Sequence, residues 1–306
     1  MAERIADMEM LSINGLYKSF GDKEVLKGLS FSVPEGSIFG FIGKNGAGKT
    51  TAMKAVLGLI KADAGEIFVG GKRVVYGGGE ANRGIGYLPD VPEFYSFMTA
   101  PEYLAFCGEI SGMNKKDILI KSGELLELVG LNGENHRIKG YSRGMKQRLG
   151  IASALLGDPK LLICDEPTSA LDPIGRKEIL DILSSVKERT TVMFSTHILS
   201  DVERICTDVA FLNNGVIAMG GKLSEIKKTY SDGRYYVELL SFADISALIE
   251  SIPSAERISE TAVTVDGSEK SFFELTRVIT ERKLPVLRIE RKEPTLEDLF
   301  VEEARG

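Results

Sequence analysis

Cysteine, histidine and tryptophan are scarce in this chain, and their scarcity excludes two kinds of stabilising site. The 306 residues include three cysteines, two histidines and no tryptophan. Cys107, Cys164 and Cys206 are scattered singly and odd in number, which fits a reducing compartment and argues against a disulfide framework. Neither His136 nor His197 is near a cysteine pair. The sequence therefore predicts no disulfide and no structural zinc site.

The sequence also lacks a long hydrophobic run and an excess of basic residues. No apolar stretch approaches the roughly 18 to 20 residues that span a bilayer, and the first ten residues carry three acids but no apolar signal segment. We therefore expect no membrane-spanning segment and no secretory signal, so any membrane association would depend on a partner. The chain has 38 basic and 44 acidic residues and a net charge of −6, which disfavours nucleic acid as the main partner.

Strand and helix patterns alternate over the first 230 residues. Strands separated by helices indicate a mostly parallel sheet. The predicted elements are strands over 11–20, 29–33 and 37–42, a helix with Met53, Val56, Leu57 and Ile60 on one face, a helical region over 101–131, helices over 144–156 and 173–186, and buried strands over 161–164 and 191–194.

The pattern breaks near a Ser-Asp-Gly cluster at 231–233, and residues 233–306 are predicted to form a smaller second domain. Its order is strand, helix, strand, strand, helix, strand, which is the split βαβ order of an α+β, ferredoxin-like domain. The predicted elements cover residues 235–240, 245–252, 257–259, 262–265, 272–279 and 286–290, followed by a final helix over 296–303 with an apolar stripe of Leu296, Leu299 and Phe300.

A glycine-rich loop joins the third predicted strand to the first predicted helix. The stretch from Gly43 to Thr50 satisfies G-x-x-x-x-G-K-[ST], whose backbone N–H groups and helix N-terminus bind phosphate oxygens. Lys49 would contact the β and γ oxygens of ATP, and the Thr50 hydroxyl would bind Mg²⁺. A chance glycine turn is the alternative. The predicted ATP-binding residues here are Gly43, Lys44, Asn45, Gly46, Ala47, Gly48, Lys49, Thr50 and Thr51.

Two adjacent carboxylates end the predicted strand over 161–164. Neighbouring side chains of a strand point to opposite sides, so Asp165 and Glu166 are expected to have different roles. Asp165 would hold Mg²⁺, directly or through water, and Glu166 would polarise the water that attacks the γ-phosphate. The alternative is that both acids cap the next helix before Pro167.

The stretch Tyr141-Ser-Arg-Gly-Met-Lys-Gln-Arg148 precedes a predicted helix. Here the chain, over about residues 11–225, resembles the ABC transporter ATPases, whose signature element reads Leu-Ser-Gly-Gly-Gln. Ser142 and Gly144 match that element, whereas Arg143 and Met145 depart from it. The resemblance implies an α/β fold: a P-loop NTPase sheet with an antiparallel β subdomain and a helical insert at about 91–145.

The resemblance also implies roles for single residues. Tyr17 would stack on adenine, although a strand aromatic in the core is an equal alternative. Ser142 and Gly144 would close over the γ-phosphate from a second subunit, and Asp172 lies in a loop that signals across that dimer. His197 would be the switch histidine on the γ-phosphate, and Glu166, His197 and Lys49 would be the catalytic residues.

Asp90 falls where the family usually places a glutamine that touches Mg²⁺ and the attacking water. A carboxylate binds a hard cation there, with shorter reach and added charge, while capping a turn beside Pro92 is the alternative. An apolar cluster follows, consisting of Phe94, Tyr95, Phe97 and Met98. It either closes the helical insert or forms a docking groove for a membrane partner.

The sequence thus predicts the ATP-hydrolysing subunit of an ABC transporter, in the bacterial exporter branch. It would bind ATP and Mg²⁺, pair with a second ATP-binding subunit in a homodimer, and be cytoplasmic, peripheral on the inner membrane face through an integral permease. The C-terminal domain would be a regulatory domain or a dimerisation domain. A soluble ABC-type ATPase of translation or DNA repair, and a regulatory protein that binds ATP without turnover, are the alternatives.

Overall fold

The chain divides into two compact units with separate hydrophobic cores. The computed structural model describes residues 8–230, 233–291, 295–297 and 299. The units are Met1–Leu223 and Ser224–Gly306. The core cluster of the first unit is drawn from residues 10–217, and that of the second from residues 235–289. No residue is shared between the two clusters.

Ten strands and six α-helices build the first unit as far as the structure describes it, and a seventh helix begins at its last residue. The strands are β1 (Glu9–Phe20), β2 (Lys23–Pro34), β3 (Ile38–Ile42), β4 (Ala64–Val69), β5 (Lys72–Arg73), β6 (Ile85–Leu88), β7 (Leu161–Asp165), β8 (Thr191–Thr196), β9 (Asp208–Asn213) and β10 (Val216–Lys222). The helices are α1 (Lys49–Val56), α2 (Ala100–Ile110), α3 (Lys115–Leu128), α4 (Arg143–Leu155), α5 (Pro173–Val186), α6 (Leu199–Ile205) and α7 (Leu223–Tyr230).

A six-stranded sheet in the order β10-β9-β3-β8-β7-β6 forms the centre of the first unit. All neighbouring pairs are parallel except β10 with β9. Every residue of β3, β7 and β8 is buried, which is why these strands read as nearly continuous apolar runs. Because parallel strands end at one edge, the segments that follow β3, β6, β7 and β8 meet there.

A second, antiparallel sheet in the order β2-β1-β4-β5 covers part of the central sheet. Phe31 of β2 stacks on Phe39 and Phe41 of β3, with ring centroids 5.6 and 5.1 Å apart. These contacts join the two sheets in one core. The predicted combination of a mostly parallel sheet, an antiparallel subdomain and a helical insert is confirmed.

The insert contains α2 and α3, both with side-chain caps. Thr99 and Glu102 form a reciprocal capping box at the start of α2, and Asn114 accepts from the Asp117 N–H at the start of α3. The prediction for the helix after the glycine loop was too long. The helix α1 ends at Val56, and Gly58, with φ of +67°, turns the chain. Leu57 and Ile60 pack on the core from beyond the helix end.

In the part of the second unit between residues 233 and 291, a four-stranded antiparallel sheet shares a hydrophobic core with two helices. Its elements are β11 (Tyr235–Leu239), α8 (Phe242–Ser251), β12 (Glu256–Arg257), β13 (Ala262–Val265), α9 (Glu269–Arg282) and β14 (Val286–Arg291). The spatial order β12-β13-β11-β14 is the ferredoxin-like arrangement of a βαββαβ chain. Of the predicted final helix over 296–303, only residues 296, 297 and 299 are among the described residues, and Leu296 and Leu299 are buried; Phe300 lies outside them. Within the described part of the chain, no helix is long and apolar enough to cross a bilayer.

The separate cores predict that the first unit folds without the second. We expect a chain ending at residue 230 to unfold cooperatively in calorimetry, within about 5 °C of the corresponding transition of the full chain. A chain ending at residue 212 is the control, because it removes β10 from the edge of the central sheet and should unfold at lower temperature. Loss of cooperative unfolding in the longer fragment would contradict the prediction.

Candidate nucleotide-binding site

The glycine-rich loop connects β3 to α1 and leaves the start of that helix open. Gly48 precedes α1 with φ of +112°, and no side chain caps the helix. A Cβ on Gly48 would come within 2.9 Å of Leu26 Cδ2, so both conformation and space require glycine here. The uncapped N–H groups and the helix dipole make this N-terminus suited to binding an anion.

A cavity of about 540 Å³ lies beside this loop at the carboxyl edge of the central sheet. It brings together ten predicted site residues from distant parts of the sequence, and four residues that were not predicted as site residues: Phe20, Lys23, Val25 and Ser169. Its lining consists of Phe20, Lys23, Val25, Asn45, Gly46, Gly48, Lys49, Thr50, Thr51, Asp90, Asp165, Glu166, Ser169 and His197. Gly43, Lys44 and Ala47 belong to the same loop but do not line the cavity.

Lys49 is buried, and its charge is held at the base of the loop. Its Nζ donates to the Gly43 carbonyl at 2.6 Å and lies 3.1 Å from Glu166 Oε1. The side chain is 6% exposed. An anion that enters the cavity therefore meets a cation already fixed in direction, and it competes with Glu166 for that cation.

Asp165 is buried and accepts hydrogen bonds on both carboxylate oxygens. Thr50 Oγ1 donates to Oδ2 at 2.8 Å, and Ser195 Oγ donates to Oδ1 at 2.6 Å. Hydroxyl and carboxylate oxygens are the ligand types that Mg²⁺ prefers. Among the described residues, no group of three or more His, Cys, Asp or Glu side chains is placed to hold a metal alone. Thr50 and Asp165 thus suit a magnesium ion that brings most of its ligands with it, as an ion bound to phosphates does.

Glu166 has a strained backbone and points away from Asp165. Its φ is +48°, in the left-handed region, and its N–H lies within hydrogen-bond distance of both Ser195 Oγ (3.0 Å) and the Ser195 carbonyl (3.2 Å). Such strain persists where surrounding contacts enforce it, often at active sites. Glu166 Oε2 lies 2.9 Å from His197 Nδ1. The two carboxylates therefore face different partners: Asp165 faces Thr50, and Glu166 faces Lys49 and His197.

Ser142, Gly144 and Asp172, which were predicted as site residues, also lie outside this cavity. Ser142 caps α4 by accepting from the Met145 N–H at 3.2 Å, and Gly144 is in the same first turn. Asp172 caps α5 by accepting from the Gly175 N–H at 3.1 Å. The structure thus shows these residues at helix starts, and it does not bring them to the cavity of their own chain.

Phe20, which was not among the predicted site residues, lines the cavity, and the adenine contact predicted for Tyr17 stays a prediction. Tyr17 does not line the cavity; its ring packs on Gly28, where a Cβ would come within 2.8 Å of the Tyr17 hydroxyl. Phe20 lines the cavity and is 53% exposed. Both are β1 residues, and a register shift between Lys18 and Ser19 separates them.

A buried polar network that sequence reasoning missed holds the segment after Glu166. Asp201, 3% exposed, accepts from Thr168 Oγ1 at 2.7 Å and from Arg176 Nη2 at 2.5 Å. Thr168 follows Glu166 by two residues, and Asp201 follows His197 by four. The network therefore ties the segments that carry these two side chains. The two residues that donate to Asp201 are 33 and 25 positions away from it in the sequence, so no local sequence pattern indicates the network.

Comparison with known proteins decides the family. A family model described as "ABC transporter" matches residues 26–169, and one described as "ATP-binding protein DrrA1-3-like, C-terminal domain" matches residues 221–304. The ABC transporter ATP-binding protein YxlF of Bacillus subtilis is 40% identical over 95% of this chain and 98% of its own length. This chain belongs to the family of ABC transporter ATP-binding proteins. Such subunits are ATPases that power transport, and this subunit binds ATP at a site of that kind.

Other relatives agree with the assignment over most of the chain. The bacitracin transport ATP-binding protein BcrA of Bacillus licheniformis is 37% identical over 95% of this chain and 96% of its own length. A solved ATP-binding subunit of an ABC transporter superposes with a TM-score of 0.64 at 30% identity, covering 72% of this ATPase and 93% of the solved chain. An ATP-binding cassette solved in its ADP conformation gives the same TM-score at 27% identity, over 71% of this chain and 92% of that chain.

The buried network yields a prediction about stability. Asp201→Ala leaves the Thr168 hydroxyl and the Arg176 guanidinium without their acceptor, so we expect the free energy of unfolding in urea to fall by about 2 to 3 kcal/mol. Asp181→Ala is the matched control, since it breaks the exposed pair with Arg204 at 3.0 Å and should cost less than about 1 kcal/mol. Equal losses in the two variants would show that the network adds nothing.

Proposed function

We propose that this subunit hydrolyses Mg²⁺-bound ATP in the cavity after β3, in a homodimer that drives an exporter. One observation carries the proposal: a buried lysine, an open helix N-terminus, two oxygen donors for a cation, and a carboxylate paired with a histidine line the same cavity. That set supplies the positioning and the charge stabilisation that phosphoryl transfer requires.

The cation site is proposed on Thr50 and Asp165. Magnesium would supply charge neutralisation at the β and γ oxygens when bound. Asp165 keeps both oxygens directed by the hydroxyls of Thr50 and Ser195, so it presents a fixed carboxylate and needs little reorganisation. Asp90 faces the same cavity, and its contact with the metal stays a prediction.

Glu166 is proposed as the base for the attacking water. In the nucleotide-free arrangement, one oxygen of its carboxylate contacts Lys49 and the other contacts His197. Phosphate oxygens compete for Lys49, and this competition releases one carboxylate oxygen to accept a proton from water. His197 remains at 2.9 Å from the other oxygen, where it orients the carboxylate and can reach a γ-phosphate.

Ser142, Gly144 and Asp172 are proposed to act on the nucleotide of the second subunit. They lie outside the chain's own cavity, and the start of α4 offers N–H groups beside the exposed residues Ser142 and Arg143. Two chains facing each other would bring each α4 start to the other chain's ATP, so that ATP binding closes the dimer and hydrolysis reopens it. The second unit, with its own core, is proposed to support that dimer or to regulate it.

The transporter assignment extends to partners and location through the relatives. BcrA is named for bacitracin transport, and LnrL of Bacillus subtilis, 33% identical over 95% of this chain, for linearmycin resistance. Both names favour an exporter, in which this chain would bind an integral membrane permease. The chain would then lie at the inner membrane face. We propose no nucleic acid partner for it. The soluble ABC-type ATPases of translation and DNA repair are not favoured, because the sequence has one phosphate loop and its relatives are transport proteins.

Replacing the proposed base should separate binding from turnover. Glu166→Gln keeps the shape of the side chain but removes its charge, so we expect ATP hydrolysis to fall at least about a hundredfold while ATP affinity is kept or improved. Sedimentation with ATP should show a trapped dimer. Lys49→Ala should instead weaken ATP binding at least about tenfold, because it removes the charge at the loop.

The control is Glu178→Gln, which changes a half-exposed acid on α5 that lies 3.9 Å from Arg148. Its hydrolysis rate should stay within about twofold of the parent. Parent-like hydrolysis by Glu166→Gln, with the permease present, would overturn the assignment of the base.

A second pair of variants tests which aromatic residue contacts adenine. Phe20→Ala should weaken ATP binding about tenfold, since stacking on a base is worth about 1 to 3 kcal/mol. Phe20→Tyr should retain the affinity. Tyr17→Ala is the matched control from the same strand, and calorimetric titration should give an affinity within about twofold of the parent. A larger loss for Tyr17→Ala than for Phe20→Ala would support the assignment made from the sequence.

A further inference from the structure

Two departures from the family's usual residues meet in one ion pair. Asp90 follows β6 where glutamine is usual, and Arg143 begins α4 where glycine is usual. The residues are 53 positions apart, and Arg143 Nη2 lies 3.4 Å from Asp90 Oδ1. The usual residues, glutamine and glycine, are both uncharged. The residues found here, Asp90 and Arg143, have opposite charges that sum to zero. The charge introduced by one departure is therefore balanced by the other.

Further contacts along α4 hold the same segment. Gln147, one turn after Arg143, is fully buried, and its Nε2 donates to the Asp90 carbonyl at 2.7 Å. Residues four apart share a helix face. Nearby on α4, a Cβ on Gly150 would come within 2.4 Å of Leu88 Cδ1. The helix α4 is thus packed on the end of β6, and the ion pair is the part of this contact that reaches the cavity.

The cavity gives the pair an electrostatic role. Partial burial raises the pKa of Asp90; the Arg143 guanidinium opposes that shift, while Asp165 and Glu166 add to it. A third carboxylate without a counter-charge would repel the phosphates of ATP. Arg143 offsets this repulsion and also draws Asp90 towards the start of α4.

We propose that Arg143 is a positioning residue whose ion pair with Asp90 links the chain's own nucleotide cavity to the segment Ser142–Gly144 that acts on the second subunit. The inference rests on the proposed function, in which that segment closes over the second subunit's ATP. Asp90 faces the first nucleotide and Arg143 lies next to the second. The contact therefore couples the two composite sites of the dimer within one chain.

A double-mutant cycle tests this coupling in the full-length chain carrying Glu166→Gln. The readout is the ATP concentration that gives half-maximal dimer in sedimentation. Asp90→Asn and Arg143→Ala should each raise it about fivefold, and the double variant should also raise it about fivefold, because either change already breaks the contact. An effect of about 25-fold in the double variant would overturn the inference. The expected shortfall of about fivefold corresponds to a coupling free energy of about 1 kcal/mol, the upper end for a half-exposed ion pair.

Two further variants separate positioning from general damage. Arg143→Lys keeps the charge and should stay within about twofold of the parent. Lys146→Ala removes a cation from the same turn of α4; within the described ranges Lys146 has no ion pair, and this variant should stay within about twofold. If Lys146→Ala matches Arg143→Ala, the effect is one of net charge and the inference is wrong.

The nucleotide-free chain provides a readout that does not depend on the proposed function. Amide hydrogen exchange over 142–146 should accelerate equally in Asp90→Asn, Arg143→Ala and the double variant; unchanged exchange would overturn the inference. If the Glu166→Gln parent fails to dimerise with ATP, the proposed sandwich dimer is wrong, whereas the exchange cycle still decides whether the ion pair positions α4.

Discussion

The carboxylate of Asp165 is the group on which the site depends. It lies buried at the end of β7 and receives one hydroxyl from Thr50 of α1 and one from Ser195 of β8. A buried carboxylate that loses a donor is costly, so the three elements are held in one arrangement. The hydroxyl and the carbonyl oxygen of Ser195 also accept from the Glu166 N–H. The strained turn at Glu166 is therefore supported by the same residue that orients Asp165.

The charges of the cavity follow from this arrangement. The positive groups that line the cavity are Lys23, Lys49 and the N-terminus of α1, and the carboxylates that line it are those of Asp90, Asp165 and Glu166. Without nucleotide, Lys49 and Glu166 neutralise each other at 3.1 Å. A nucleotide phosphate would replace Glu166 as the partner of Lys49, and a cation would balance the remaining carboxylates. A divalent cation bound with ATP thus lowers by two the negative charge that the nucleotide brings into a cavity already lined by three carboxylates.

Much of the fold could be predicted from local patterns, but the position of Phe20 at the cavity could not. The helix over 173–186 matches α5 at both ends, because Asp172 and Pro173 specify its start, and the strands over 161–165 and 191–196 are continuous buried runs. Tyr17 and Phe20 are both aromatic residues of β1, three positions apart, and of the two only Phe20 lines the cavity. Strand alternation places residues at this separation on opposite faces, but it does not reveal which face the cavity is on. Asp201 was missed for another reason: its partners come from distant parts of the sequence.

The segments proposed to face a second subunit are fastened to the groups that face the nucleotide. Thr168 and Arg176, on either side of Asp172, bind Asp201 on the helix that follows His197. Arg143 and Gln147, following Ser142, bind Asp90 at the cavity wall. In both cases the contact is polar and links elements that are remote in sequence. A hydrophobic contact would tolerate sliding, whereas hydrogen bonds between charged groups fix distance and direction. Each outer segment is therefore held in a fixed position relative to the cavity group to which it is bonded.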